Sequence, residues 1–499
     1  MTRLTQCFLV LVLLGAPLLL VGCGSSSTSK SDAAPGSHDG PSVKTDVLNA
    51  SKLDLAPAVL PDGSVGTPDA AVDGPAVKKD TGPVTAVDAA VDGQADAADG
   101  GDSADDSGAA TDSSPIACGF QGGSVLSDLT LTKACSPYII RDYIQVNEGA
   151  VLTIAPGVTL KFEDSVGISV GNADIGTLVA VGTAQDPITF TSAASPPLPG
   201  DWGAIRLFDC TTTGTKIAYA RVDSCGGDLS GCIVGDGVSP NAVTIDHVTI
   251  AQVGPDSDGI LEWDPDSNFV ITNSTFSRIP TAPLQQYAIS VMALSFAGIG
   301  AGNTFNGGSM IEIQGGTIAS TTSWVDPGTT IAVTDDLVVD GANSPVLTLG
   351  PGMTFKFGPD RSFDIGWAAT GKLVVAGTAA KQVTLTSLLA VPNPGAWAGV
   401  NVWDDSSAQL SYADIAYGGG AGQGGGDLTL ENGNSTSRLV VDHSSFTYSL
   451  GYAIYLPCPD VPVATVTLDP SNSYAHNAAD TTNANDQAHN VGPGLSCHH

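Results

Sequence analysis

Acidic side chains gather in one short stretch near the middle of the chain, where they could bind a metal ion. Asp256, Asp258, Asp264 and Asp266 fall within residues 256–266, beside turn-forming glycine and proline. Calcium takes about six to eight oxygen ligands, and carboxylates on a loop and the turn after it can supply several of them. The EF-hand loop is not matched, because its closing glutamate is absent. These four aspartates form a calcium candidate, and the alternative is a solvated acidic turn.

Two other residue types could bind a ligand. His247 and His443 each follow an aspartate in matching segments, which favours a stacked polar residue in a turn or on an outer face over a metal ligand. Trp202, Trp397 and Trp403 could form a platform on which sugars stack, since aromatic rings present large apolar faces. The first two occupy repeated positions, which favours packing beneath a loop. The HExxH and Walker signatures are absent, so zincin and nucleotide sites are not predicted.

The cysteines indicate export and disulfides. The chain has nine, of which seven lie beyond Cys23, and none forms a CxxC pair of the kind that binds metals. We expect one bridge between Cys118 and Cys135 and another between Cys458 and Cys497, each at one end of the folded region. The odd count then leaves one of three cysteines outside any bridge: Cys210, Cys225 and Cys232.

The N-terminal end predicts a membrane-anchored protein. A basic start and a short apolar run precede Leu20-Val21-Gly22-Cys23, an order typical of a secretory signal. The ending resembles the lipobox of bacterial lipoproteins, which implies that Cys23 is lipidated and becomes the first mature residue. Gly24 at the next position is compatible with transfer to the outer membrane, facing the periplasm or the cell surface. Residues 1–22 are therefore the predicted signal peptide.

The segment 23–114 and the overall charge limit the partners. Ala, Asp, Gly, Pro and Ser dominate this segment, which has no aromatic residue, so it cannot bury enough apolar surface to offset the entropy of ordering. We predict a disordered stalk. The formal charge of −33 excludes nucleic acid as an expected partner, because phosphate backbones are held by Lys and Arg clusters that are missing here.

The remaining chain is rich in short β segments and contains an internal duplication. Residues 152–162 recur at 347–357, and the same shift of 195 carries Gly200-Asp-Trp202 onto Gly395-Ala-Trp397. A finer repeat of roughly 26 residues follows, in which each unit is too short to bury its own apolar face and must stack on its neighbours. We expect two modules, 115–320 and 321–499.

These segments resemble the right-handed parallel β-helix repeat proteins of bacterial surfaces. The resemblance is carried by Leu152-Thr-Ile-Ala-Pro-Gly-Val-Thr-Leu-Lys-Phe162, by residues 182–192 and by Gly200-Asp-Trp-Gly203. It implies an all-β fold, namely a duplicated parallel β-solenoid after a disordered stalk; a pair of β-sandwiches is the alternative. That fold hosts lyases, glycosidases, adhesins and spacers, so it does not fix a function.

Enzymes of this fold cleave polysaccharides with paired carboxylates, or with calcium and a base. The chain offers Asp335-Asp336 and Asp404-Asp405 as pairs; the bases to consider are Lys161, Lys356 and Arg206. Asp404 and Asp405 would point to opposite faces of a strand and can share a site only in a turn. Lys161 and Lys356 match in the two copies, which favours a structural role on the outer face. We assign no catalytic residue.

The expected function is a surface-displayed lipoprotein that binds or scaffolds, with polysaccharide as the ligand class considered first. It needs no cofactor unless calcium binds at the acidic cluster. The alternatives are a polysaccharide lyase or glycosidase and a protein-binding adhesin. The first alternative requires acids and a base to converge in one groove, and the second requires an exposed apolar or edge surface. The number of copies in an assembly is left open.

Overall fold

The computed structural model describes residues 118–228, 230–238, 243–264, 269–277, 286–420, 425–431, 437–456 and 466–478. All structural statements below concern these residues. The predicted signal peptide, the lipidation site at Cys23 and the stalk lie outside them, as do Asp266, Cys458 and Cys497.

The described chain is all-β, with two short 3₁₀ turns (Lys133–Cys135 and Phe296–Gly298) and no α-helix. In chain order the strands are β1 (Gly123–Val125), β2 (Leu129–Leu131), β3 (Tyr138–Ile140), β4 (Ile144–Val146), β5 (Ala150–Ile154), β6 (Thr159–Phe162), β7 (Ile168–Val170), β8 (Gly176–Val181), β9 (Ile188–Ser192), β10 (Ile205–Phe208), β11 (Lys216–Asp223), β12 (Gly231–Asp236), β13 (Val243–Ala251), β14 (Asp258–Glu262), β15 (Phe269–Thr272), β16 (Thr275–Ser277), β17 (Ile289–Val291), β18 (Thr304–Asn306), β19 (Ile311–Ile313), β20 (Gly316–Ile318), β21 (Thr322–Trp324), β22 (Ile331–Val333), β23 (Leu337–Val339), β24 (Val346–Leu349), β25 (Thr354–Phe357), β26 (Ser362–Ile365), β27 (Lys372–Ala376), β28 (Val383–Ser387), β29 (Gly399–Trp403), β30 (Ser407–Ser411), β31 (Ala413–Ala416), β32 (Gly426–Glu431), β33 (Arg438–Asp442), β34 (Ser445–Thr447), β35 (Tyr452–Tyr455), β36 (Val466–Leu468) and β37 (Ser473–Ala475).

The strands form a right-handed parallel β-solenoid of about 11 turns, as the resemblance implied. Sheet 1 has 14 strands, in the order β1-β4-β7-β10-β12-β14-β17-β19-β22-β25-β28-β31-β34-β37. Sheet 2 has 11 strands from the first part of the chain, β2 to β18. Sheet 3 is β20-β23-β26-β29-β32-β35 and sheet 4 is β21-β24-β27-β30-β33-β36. Parallel pairing within every sheet rules out the β-sandwich alternative, whose sheets are antiparallel.

Strand formation follows from alternation along short segments. In β5, Leu152 and Ile154 are buried while Val151 and Thr153 are partly exposed, because successive side chains point to opposite faces. The inward rows stack coil on coil: Ile260, Ile289 and Ile311 are paired neighbours and fully buried. One continuous hydrophobic core therefore fills the solenoid.

Corners between strands are made by residues in the left-handed region. Tyr219 and His247 have φ of 47° and 54°, and each bends a long strand from one half of sheet 2 to the other. His443, with φ of 48°, makes a corner of the same kind between β33 of sheet 4 and β34 of sheet 1. Non-glycine residues adopt this conformation at a cost, so a stacking or hydrogen-bonding partner must compensate for it.

The duplication predicted at a shift of 195 residues is present, but the two copies do not occupy the same faces. β6 belongs to sheet 2, whereas its counterpart β25 continues sheet 1. Likewise β7 lies in sheet 1 and its counterpart β26 in sheet 3. Sheet 1 itself runs without interruption from the first copy into the second through the pairing of β19 with β22. Equivalent positions of the two copies therefore face different directions.

Candidate functional site

The aspartates of the calcium candidate are placed in different environments. Asp256 is exposed in the loop before β14. Asp258 begins β14 and accepts a hydrogen bond from the Tyr287 N–H at 2.7 Å; burial raises the pKa of its carboxyl well above the usual value. Asp264 is half-buried after the strand. Within the described residues no group of three His, Cys, Asp or Glu side chains is arranged to hold a metal ion. Because Asp266 lies outside them, calcium binding stays a prediction.

The repeated tryptophans are core residues, as their repetition indicated. Trp202 and Trp397 are fully buried and stack on Phe162 and Phe357, with ring centroids 4.3 and 4.4 Å apart. Each indole N–H donates to a backbone carbonyl, that of Asp223 at 2.7 Å for Trp202. Neither ring can reach a ligand. The prediction that Trp202 and Trp397 belong to a sugar-stacking platform is therefore wrong.

Trp403 instead belongs to a surface on sheet 3, which we call the Trp367 surface: Asp364, Trp367, Asn401, Trp403 and Thr429. The edge of one indole meets the face of the other, with the centroids of Trp367 and Trp403 4.7 Å apart and the planes at 88°. Trp367 exposes 56% of its area, which leaves most of the ring available for contact. The sequence prediction included Trp403 and missed Trp367, whose contact with Trp403 forms only when the coils stack.

A polar base supports the two indoles. The Trp403 Nε1–H and the Asn401 amide each donate to Asp364 Oδ1 at 3.0 Å, and the Ser362 hydroxyl donates to Asp364 Oδ2 at 2.5 Å. Asn401 pairs across the strands with Thr429, and both are fully buried. Asn401 Oδ1 and Thr429 Oγ1 have no hydrogen-bond partner in the described part of the chain. Buried polar atoms are normally hydrogen-bonded. These two oxygens, beside the hydrogen-bonded indole of Trp403, are exceptions to that rule.

A second polar and aromatic cluster lies on sheet 1, in the first copy. We call it the Trp263 surface: Arg206, Asp228, Ser230 and Trp263. Arg206 Nε and Nη2 donate to Asp228 Oδ2 at 3.1 and 2.6 Å, and Nη2 also donates to Ser230 Oγ at 2.9 Å. The guanidinium carbon lies 5.9 Å from the centroid of the Trp263 ring, within the range of a cation–π contact. The ion pair does not favour Arg206 as a catalytic base.

The other candidates for chemistry have structural roles. His247 stacks on Tyr219 and His443 on Tyr412, with ring centroids 4.4 and 4.7 Å apart, which confirms the interpretation of stacked turn residues. Burial raises the pKa of Asp246, but hydrogen bonds from Asn273, His247 and Thr272 outweigh burial and lower that pKa to about 2.

The acidic pairs and the matching lysines do not converge on a groove. Asp335 pairs with Arg361 at 2.7 Å, whereas the neighbouring Asp336 accepts the backbone N–H of Ser362. Asp404 lies in a turn with φ of 43°, after β29. Lys161 and Lys356 are half-exposed between buried neighbours of β6 and β25, which places both on outer faces.

One of the two predicted disulfides is confirmed, and the other involves cysteines outside the described residues. Cys118 and Cys135 are bridged, with Cα atoms 4.8 Å apart, as predicted. Cys225 and Cys232 form a second bridge, so Cys210, which is buried, is the one of the three that joins neither. The bridge between Cys458 and Cys497 stays a prediction. No helix among the described residues is long and apolar enough to cross a membrane.

Comparison with known proteins supports the fold and leaves the activity open. Residues 123–258 match the model of the pectate-lyase-like β-helix domain. A segment of 69 residues is 49% identical to Protein bark beetle of Drosophila melanogaster, which is 14% of this chain and 2% of that protein. The chain thus spans a very small part of that relative. No solved structure matches significantly. The geometry and the family match together identify a pectate-lyase-like β-helix fold, compatible with a polysaccharide-binding or carbohydrate-active role.

Proposed function

We propose that this protein is a lipid-anchored, surface-displayed β-helix that binds polysaccharide and does not cleave it. The observation that carries the proposal is the Trp367 surface, where an exposed indole stands against a second indole fixed by Asp364. Sugars present C–H faces to aromatic rings and hydroxyls to amides and carboxylates. The Trp367 surface offers the exposed ring of Trp367 on a rigid sheet, and its buried polar base fixes the second indole beside that ring.

Binding without cleavage is favoured by the arrangement of charges. Arg206, which sequence reasoning considered as a base, is held by Asp228, and Asp335 is held by Arg361. General acid–base chemistry needs two groups positioned on either side of one bond. In the described residues Arg206 and Asp335 lie on different coils, and each is paired with an opposite charge of its own. The enzyme alternative would require the unsettled calcium cluster to act with a base.

The binding test uses the full-length protein and a panel of neutral and acidic polysaccharides, read by affinity electrophoresis and calorimetry. We expect at least one polysaccharide to bind, and Trp367→Ala to weaken that binding about ten-fold, because losing a stacking aromatic costs on the order of 1 kcal/mol or more. Val391→Ala is the control, since Val391 is 83% exposed and outside the Trp367 surface. Equal affinity of Trp367→Ala and the wild type would contradict the assignment.

The same panel tests cleavage. Incubation with and without calcium should yield neither unsaturated uronates, followed by absorbance, nor new reducing ends. Turnover that is lost on changing Asp256 or Asp258 to Asn would replace the binding function with the lyase alternative.

A further inference from the structure

We propose that the Trp263 surface is a second saccharide site, and that the protein cross-links two glycan strands through its two surfaces. This inference rests on the proposed function and adds to it the number of sites and the way they are used. Trp263 exposes 55% of its area, nearly the same fraction as Trp367. Its polar neighbours are the ion pair of Arg206 and Asp228.

The chemistry of the Trp263 surface suits a neutral sugar. Arg206 and Asp228 are both about one-fifth exposed, so their donors and acceptors are partly desolvated and held in fixed positions by each other and by Ser230. A neutralised Arg–Asp pair offers a donor and an acceptor side by side, which matches two adjacent hydroxyls of one sugar ring. The indole of Trp263 supplies the apolar face next to them. An anionic group would have to compete with Asp228 for the guanidinium.

Each surface contains one residue from an equivalent position of the duplication. Asn401 of the Trp367 surface stands 195 residues after Arg206, and Trp403 stands 195 residues after Phe208. Both Arg206 and Asn401 point outward, because their strand neighbours Ile205, Leu207, Val400 and Val402 are fully buried in the core. The duplication therefore placed one polar residue on the outer side of a strand in each copy, whereas the exposed indoles of Trp263 and Trp367 have no counterpart in the other copy.

The placement of the two surfaces prevents one straight glycan chain from occupying both of them. The Trp263 surface lies on sheet 1, and the Trp367 surface lies on sheet 3, which is another face of the solenoid. Five strand steps of sheet 1, from β12 to β25, separate them along the axis, or roughly 24 Å at the usual strand spacing. A polysaccharide following the axis on sheet 1 runs past the Trp367 surface on a different side. Two glycan chains, each on its own face of the solenoid, can occupy both surfaces.

The test uses the full-length protein with the polysaccharide that binds most tightly in the panel. With a short oligosaccharide, calorimetry should give two sites per chain for the wild type and one for Trp263→Ala or Trp367→Ala. With the long polymer, the wild type should raise viscosity and turbidity, whereas each single variant should bind and leave both near the level of polymer alone. Val391→Ala should behave as the wild type. Circular dichroism and sedimentation confirm that each variant is folded and in the same association state.

The outcomes separate this inference from the proposed function. One site per chain in the wild type, or undiminished cross-linking by Trp263→Ala, would overturn the second site while leaving binding at the Trp367 surface intact. Failure of the wild type to bind any polysaccharide would overturn both.

Discussion

Glu262 places a carboxyl group in the interior of the solenoid. It lies on the same side of β14 as Ile260, is fully buried, and accepts the Phe269 N–H at 3.3 Å. Burial raises its pKa to about 8, although hydrogen bonds from Ser295 and from the Phe269 and Met292 backbone act in the opposite direction. At neutral pH the side chain is therefore mostly protonated.

This group makes stability depend on pH. Its folded pKa is above the unfolded value near 4.5, so the folded state binds the proton more tightly. The stabilisation that the protonated Glu262 carboxyl gives the folded state is fully present below pH 4.5 and is lost as pH rises through about 8.

We expect Glu262→Gln to have a higher thermal midpoint than the wild type at pH 9 and a smaller difference at pH 5. The expected gain in the free energy of unfolding at pH 9 is on the order of a few kcal/mol. Glu163→Gln, at an exposed ion pair with Arg141, is the control. A midpoint equally dependent on pH in Glu262→Gln would contradict this account.

For single residues, the sequence predicted the buried tryptophans, Trp202 and Trp397, and not the exposed ones, Trp263 and Trp367. Repetition marked Trp202 and Trp397, because a residue kept at the same place in both copies is expected to pack in the same way. Trp263 and Trp367 have no repeated partner, and the side chains they contact, Arg206 and Trp403, are brought to them only when coils stack. A contact between residues on different coils depends on coil length, which loop insertions vary.

Turns are the elements that keep the coils in register. Asp326-Pro327-Gly328 precedes β22, with Gly328 at φ of 84° and its N–H donating to Asp326 Oδ1 at 2.8 Å. A methyl group at Gly328 would meet no atom within 4 Å, so a substitution there tests backbone conformation alone. Proline followed by glycine also marks the turns at 156–157 and 351–352, as their sequences predicted.

We expect Gly328→Ala to lower the free energy of unfolding by about 1 kcal/mol, because alanine pays a steric cost in the left-handed region that glycine avoids. Chemical denaturation of the full chain measures it. Gly119→Ala provides the matched control, since Gly119 has an ordinary φ and equal space around it. A stability change as large in Gly119→Ala as in Gly328→Ala would show that the left-handed conformation is not the cause.

Strand positions were predictable from alternation and repetition, whereas the faces were not. The segments 216–222, 243–250 and 269–276 form paired strands of sheet 2 in the expected order. The shift of 195 residues predicted the duplication but not the change of sheet between β6 and β25. Which face a strand joins depends on how many strands lie between the two copies, and short coils such as β19 to β22 alter that number without leaving a strong sequence signal.

For the whole molecule, the prediction that matters most concerns its anchor. We expect a palmitate analogue fed to bacteria that express the chain to label the wild type and not a Cys23→Ala variant, because the resemblance to a lipobox implies that the lipid is attached to the thiol of Cys23. Cys210→Ala is the control for nonspecific acylation and should label normally. Equal labelling of wild type and Cys23→Ala would refute the anchor and, with it, the proposed display on a membrane.

The bridge between Cys118 and Cys135 has a mechanical consequence under the proposed tether at Cys23 and the proposed binding of polysaccharide on the sides of the solenoid. Tension arriving from the N-terminal side reaches Cys118 and passes through the sulfur atoms to Cys135, so it bypasses β1 and β2. Those two strands cannot be pulled straight while the bridge is intact. Force instead acts first on β3, which is hydrogen-bonded to β6 of the next coil. Tension on the proposed tether must therefore peel away a strand already packed under a neighbouring coil, and the first strands stay in place as a covalently closed loop.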